Sequence, residues 1–366
     1  MGKYPITIEM RTLPPTLLPG VPSSALAPMQ DVTDKSFMDV VAHYGPPDYF
    51  FTEFFRVHES SRLDKKILSS IIDNITGRPV FAQLIGENLR DLKRTVEDLN
   101  PYPVAGVDFN LGCPAPKVYK KNVGGGLLRD PEALDGILGL LREKVEGLFT
   151  VKMRTGFEDV RHFDRLIELV AKHEVDLLSL HARTVKDSYR SRVDYTFIKT
   201  AVDRLGCPVL ANGNITSVRK AQKVLEFTGC HGIMIGRSAI RNPWIFSQFR
   251  QHCKGDSPYQ PTLEDVRAYV DKLHSSTWAE GIPENAHIAR LKKFLNFIGL
   301  AVDEEGQFLY QIRRAHTEVE FFGICDQFLV NNGNAETFYS DEPHPGLIAR
   351  PNCETSETVD LPLSCS

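Results

Sequence analysis

Short apolar runs alternate with amphipathic stretches through the first two-thirds of this chain, and that alternation restricts the fold more than any other feature. The runs lie at residues 25–29, 49–53, 80–84, 107–110, 149–154, 176–181, 209–212 and 233–236. Between them, segments such as 89–99, 131–145, 163–173 and 218–228 repeat apolar residues at three- and four-residue spacing, as helices with one buried face do. Asp130 before Pro131, and Asn242 before Pro243, read as N-caps followed by proline at the first helical position. Strands alternating with helices imply a parallel sheet with right-handed crossovers. Eight such units over about 220 residues predict an α/β fold of the closed (β/α)8 TIM-barrel type. An open doubly wound sheet binding a dinucleotide would need a Gly-x-Gly-x-x-Gly turn after its first strand; here that strand ends in Pro28-Met29.

Beyond residue 254 the pattern changes. Asp256-Ser257-Pro258 and Pro261 read as a linker, and 263–280, 286–300 and 305–330 read as helices. The expected organisation is an N-terminal arm (1–23), the barrel (24–254), a small helical domain (255–330) and a disordered or loosely draped tail (331–366) rich in Asn, Pro, Ser, Thr and Glu.

A TIM barrel carries its active site at the C-terminal ends of its strands, and polar residues collect at those ends. They are Met29 with Gln30, Glu53, Gln83, Asn110 with Cys113, Lys152 with Arg154, His181 with Arg183, Asn212 with Asn214, and Gly236 with Arg237. Any one could be a satisfied structural group, but so many together are hard to explain as core, because buried unpaired cations are costly. The turns at 211–215 and 235–239 contain glycine where barrels commonly bind phosphate, and Arg237 can add a charge-assisted bond. A phosphate there with Lys152 near the axis suits flavin mononucleotide (FMN). Lys152 would stabilise negative charge on the reduced ring. Gln83 would bond its pyrimidine edge, and Pro28-Met29 would supply backbone contacts and an apolar face. The histidines are scattered without ligand spacing, so no metal is expected.

Asn110-Leu111-Gly112-Cys113-Pro114-Ala115-Pro116-Lys117, followed by Gly124-Gly125-Gly126-Leu127-Leu128, resembles the catalytic signature of the tRNA-dihydrouridine synthases. The resemblance runs over about residues 24–325 and includes Ala27 to Asp34, Gln83-Leu84, Val151 to Arg154, Leu180 to Arg183, Asn212 to Ile215 and Gly236-Arg237. It implies FMN bound through Pro28, Met29, Gln30, Gln83, Lys152, His181, Asn212, Gly213, Asn214, Gly236 and Arg237, with NADPH as reductant. Asn214 stands where the family often has an acid. It also implies hydride addition at C6 of a tRNA uracil and protonation at C5 by Cys113. An unperturbed thiol has a pKa of about 8.5, so Cys113 would hold its proton at neutral pH. Asn110, Lys152, Arg183 and His181 are placed to hold the uracil oxygens, and the base must leave its stack to be reached.

A formal net charge of -4 argues against a strong non-specific grip on nucleic acid, so tRNA would need local basic surfaces. The candidates are Lys117, Lys120 and Lys121; then Arg183, Lys186, Arg190 and Arg192; and, on the helical domain, Arg290, Lys292, Lys293, Arg313 and Arg314. Seven cysteines without a C-x-x-C pair suggest a reducing compartment. Residues 1–19 hold no signal-like apolar run and no membrane span is read, so a cytoplasmic protein is expected, with a monomer as the default. Two other readings share parts of this pattern. One is an FMN barrel oxidoreductase acting on a small molecule of dihydroorotate or enoate type, which would need neither the helical domain nor the basic clusters. The other is a non-catalytic RNA-binding protein, which would not need Cys113, Lys152 and His181.

Overall fold

A computed structural model describes residues 12–349. The strands are β1 (Ser23–Leu26), β2 (Phe50–Phe51), β3 (Phe55–Arg56), β4 (Val80–Ile85), β5 (Gly106–Leu111), β6 (Leu148–Arg154), β7 (Leu177–His181), β8 (Val209–Asn212) and β9 (Gly232–Ile235). They pair in parallel in the order β1-β9-β8-β7-β6-β5-β4-β2, with β3 also on β4. A parallel bridge between Ala25 and Tyr49 joins the two ends, and Leu26 N–H donates to Tyr49 O at 3.1 Å. The result is the TIM barrel that the alternation implies.

Side chains alternate across each strand, which sorts the barrel into layers. Ala25, Tyr49, Phe51, Phe81, Leu148, Leu177, Leu210 and Met234 form one apolar cluster, the plug of the barrel's lower half. Their neighbours along the strands, such as Leu26, Phe50, Ala82, Phe109 and Val151, join the larger cluster beneath the surrounding helices. Farther up the inward files, polarity rises: on β6 the sequence runs Leu148, Thr150, Lys152, Arg154. Pairing sets Gln83 level with Asp108 and Asp108 level with Thr150. It sets Asn110 level with Lys152, and Arg154 with His181.

Local departures from the expected elements have identifiable causes. β1 stops at Leu26, ahead of Pro28, which cannot donate to a ladder. Of the run at 49–53 only Phe50–Phe51 is strand (β2); it ends at Thr52, whose hydroxyl accepts from Gln83 N at 3.0 Å, and β3 follows at Phe55–Arg56. Asp130 caps Pro131–Lys144 as expected, accepting from Ala133 N. Asn242 is not an N-cap: its amide donates to Gln248 Oε1 at 2.8 Å, and the helix begins at Ile245.

After the barrel come helices Leu263–Thr277, Glu284–Ile298, Gln307–Ile312 and Glu318–Leu329. The expected long helix over 305–330 is interrupted because Thr317 and Glu320 form a capping box that starts a new one. Arg290 ties this unit to the barrel, pairing at 2.6 Å with Asp34, the N-cap of helix Lys35–Tyr44. Phe294 stacks on Phe37 at 5.3 Å.

The stretch expected to be loose from residue 331 is held as far as Ala349; residues 350–366, and 1–11 of the expected arm, lie outside the described residues. Phe338 pairs with Thr262, and the buried Tyr339 hydroxyl donates to Ile298 O at 2.7 Å. The buried Arg241 guanidinium donates to the carbonyls of Thr216, Ser340 and Asp341. Low apolar periodicity did not reveal this attachment, because backbone carbonyls rather than an apolar face carry it. Tyr339→Phe is expected to cost about 1–2 kcal/mol by leaving a buried carbonyl under-satisfied. A lowered urea midpoint at unchanged m-value would show it.

Candidate active site

A cavity of about 680 Å³ opens at the C-terminal ends of the strands, within the usual range for cofactor sites. Cys113 stands in its wall just past β5. Asn110 positions it: Asn110 Oδ1 accepts from Gly112 N at 3.1 Å and Cys113 N at 3.0 Å, an Asx turn that bends the chain at the strand tip. Asn110 Nδ2 donates to Gln83 Oε1 at 2.8 Å, and Gln83 Nε2 donates to Asp108 Oδ2 at 2.7 Å. Thr150 Oγ1 completes the relay by donating to Asp108 Oδ1 at 2.7 Å. A hydrogen-bonded line therefore runs from the barrel interior to the cysteine loop.

Burial pushes the Cys113 thiol above its ordinary pKa, against the Ala115 backbone and the Arg154 and Lys152 charges. At neutral pH it is a thiol. Burial and Arg154 bring Lys152 down to about 8, with Asp108 and Cys113 opposing. Asp108 is raised to about 6 by burial, against the Gln83 and Thr150 hydrogen bonds and Lys152. Across the cavity, burial and then Asp34 raise Glu53 to about 7.

His181 is held well below its ordinary pKa by burial and by Arg154, Lys152, Arg183 and Arg237. Arg183 Nη1 lies 3.3 Å from His181 Nε2. A guanidinium offers only protons, so Nε2 holds the lone pair of a neutral ring.

The two glycine turns close the far side. Gly213 has φ +117°, and a Cβ there would fall 2.9 Å from the His181 ring, so only glycine fits. Tyr195 OH donates to Gly213 O at 2.6 Å, and Asn212 Nδ2 to Met234 O at 2.7 Å, which fixes this turn against β9.

Of the residues expected for the cofactor, Pro28, Met29, Gln30, Lys152, His181, Asn212, Gly213, Asn214, Gly236 and Arg237 all line this cavity, as do Cys113 and Asn110. Gln83 is fully buried behind them, its carboxamide committed to Asp108 and Asn110. Arg183 is likewise buried, donating to Ser191 O and Asn214 Oδ1. Lys117 is exposed, on the short helix Pro116–Tyr119.

The basic residues expected on the helical unit have different surroundings. Arg290 pairs with Asp34, Lys292 donates to the carbonyls of Arg313 and Ala315, and Lys293 alone of the three reaches the cavity mouth.

The strand-tip residue Arg154 lines the site too, as do Tyr189, Asn296 and Phe297, which sequence reasoning left out. Arg154 carried a signal, since it shares the inward face of β6 with Lys152. Its buried guanidinium group donates to Gly112 O, Thr184 O and Ser188 O, bracing the loops after β5 and β7. Tyr189 had none: it lies in an irregular loop, with the Arg237 guanidinium 3.9 Å over its ring.

The donors present fit a phosphate-bearing flavin. The cavity holds a cationic side made by Lys152, Arg154 and Arg237, a pair of glycine turns, and a buried Gln30 Oε1 acceptor without a partner among the described residues. Among the described residues no helix is long and apolar enough to cross a membrane.

A family model described as dihydrouridine synthase (Dus) matches residues 25–296. The chain is 29% identical over 314 residues to the "tRNA-dihydrouridine(16) synthase" of Haemophilus ducreyi, covering 82% of this chain and 94% of that protein. It is 37% identical over 251 residues to the "Probable tRNA-dihydrouridine synthase" of Helicobacter pylori, covering 68% and 76%. With "tRNA-dihydrouridine synthase B" of Pasteurella multocida it shares 29% over 271 residues, covering 72% and 80%.

Proposed function

We propose that this chain, which belongs to the dihydrouridine synthase family, reduces the C5=C6 bond of uridines in tRNA with bound FMN and NADPH. The observation that carries this reading is a protonated, immobilised thiol, Cys113, sharing one cavity with Lys152 and the glycine turns. When bound, the flavin supplies the hydride; the protein supplies the proton, the charge and the shape.

Pro28, Met29, Gln30, His181, Asn212, Gly213, Asn214, Gly236 and Arg237 would hold the cofactor, and Lys152 would stabilise negative charge on its reduced ring. Gln83 and Asp108 act from behind, keeping Asn110 and hence Cys113 in place. Cys113 Sγ–H gives its proton to C5 of uracil as negative charge develops on the O4 side. Lys152 and Arg154 stabilise that charge. Asn110 keeps one amide hydrogen for the base, and Arg183 orients His181 and Asn214. The pocket reaches a base that has left its stack.

The helical unit completes the cavity through Lys293, Asn296 and Phe297 and would dock the tRNA. The exposed Lys117, Lys120, Lys121, Lys186, Arg190 and Arg192 extend a basic rim from the other side. Lys293→Gln is expected to weaken tRNA binding and to lower the slope of log affinity against log salt by about one. An unchanged slope would remove Lys293 from the docking surface. Arg290→Gln is expected instead to lower thermal stability, because it leaves the buried Asp34 without its closest cation.

The deciding experiment incubates unmodified tRNA with purified protein, FMN and NADPH and measures dihydrouridine by mass spectrometry. Product is the expected result. A yellow protein that consumes NADPH without forming product would point to a small-molecule substrate instead.

A further inference from the structure

We propose that His274, His287 and Glu318 form a divalent transition-metal site, of the chemistry that zinc prefers, which clips three helices of the C-terminal unit together. His274 lies in the last turn of Leu263–Thr277, His287 in the first turns of Glu284–Ile298, and Glu318 opens Glu318–Leu329. One donor atom from each lies within 4.8 Å of the others.

The tautomer of His287 carries the argument. Thr277 Oγ1 donates its one proton to Leu273 O at 2.7 Å, so at its 2.9 Å contact with His287 Nε2 it must accept. Nε2 therefore bears the ring proton, and Nδ1 bears a lone pair. That Nδ1 is buried, on a side chain 1% exposed, and has no hydrogen-bond partner. It faces Glu318 Oε1 at 4.0 Å, while His274 Nε2 stands 2.8 Å from the same oxygen.

A buried lone pair facing a carboxylate is repulsive unless a cation lies between them, and here the His287 nitrogen is buried while the Glu318 carboxylate is partly exposed. The Thr277 contact is also what metal-binding histidines use to fix the ring, a hydrogen bond from the nitrogen that does not ligate. Two imidazoles and one carboxylate favour zinc-like ions over magnesium or calcium, with water filling the remaining position.

Tetrahedral donors at about 2.0–2.2 Å from an ion lie roughly 3.3 Å apart, so the 4.0 Å gap must close and the 2.8 Å contact open, which the half-exposed Glu318 side chain and the His274 ring permit. Arg290, one turn beyond His287, opposes a cation, but its own partner Asp34 lies 2.6 Å away. Glu284 accepts from Glu318 N and holds the carboxylate's helix start in place.

The test uses the full chain, stripped with a chelator and titrated with Zn2+ alone, with Co2+ as a spectroscopic probe. One saturable equivalent, a raised melting temperature and a Co2+ spectrum of low coordination number with nitrogen donors are expected. Glu318→Gln and His274→Gln should each weaken Zn2+ binding at least about tenfold, while His252→Gln, on another helix, leaves it unchanged. Both substitutions are at partly exposed positions, and metal-free melting curves matching the wild type would establish that they fold. Binding below one equivalent, or binding indifferent to both substitutions, would overturn the site.

Discussion

Cys113→Ala is expected to slow uridine reduction by about 10²–10⁴-fold, the usual contribution of a positioned general acid. Reduction of the flavin by NADPH and affinity for tRNA should hardly change, since the alanine keeps the backbone amide that bonds Asn110. The pH dependence separates this role from a structural one. The wild-type rate should fall first around pH 8, as Lys152 loses its proton. It should fall again above the ordinary thiol range, because burial holds the Cys113 proton to still higher pH. In the alanine variant the second fall disappears and the first remains. A variant that turns over at the wild-type rate, or that keeps both limbs, would take the acid role away from Cys113.

Lys152→Met should lower the rate by about 10²–10³-fold, because a preorganised cation is lost where charge develops. The same substitution is expected to stabilise the ligand-free protein. The folded pKa of Lys152 lies at about 8, below its ordinary 10.5. A depressed lysine binds its proton less well in the fold than in the unfolded chain. Its cost is therefore fully present below pH 8 and is relieved between pH 8 and 10.5. Removing it should raise stability at pH 7 by on the order of 1–3 kcal/mol. Asp108 keeps its hydrogen bonds from Gln83 and Thr150, so it is not left bare. Urea titrations at pH 7 and pH 10 would show the gain shrinking with pH. A less stable variant, or a gain that does not depend on pH, would contradict the account.

The barrel was legible because its information is local. Period-two runs and helical spacing report which face of each element is buried, whatever its neighbours are. The site was legible for a related reason: inward files that turn from apolar to polar end at the same rim. That rule collected Lys152, His181, Asn212 and Cys113 in one cavity. Gln83 shares the inward face but sits one layer lower, level with Asp108. Arg183 lies beyond β7 and folds back on the loop that follows it.

The sequence by itself determined the strand–helix order, the inward files and the identity of the groups at the strand tips, because period and polarity are properties of neighbouring residues. The tertiary structure alone decided which charges are committed. Arg290 finds Asp34 across 256 residues, and Lys292 finds the carbonyls that end a neighbouring helix. His274, His287 and Glu318 converge from three helices without any short spacing to announce them. A side chain's partner depends on how elements dock, and docking follows the apolar faces; polar groups are carried along and settle with whatever the packing brings within reach.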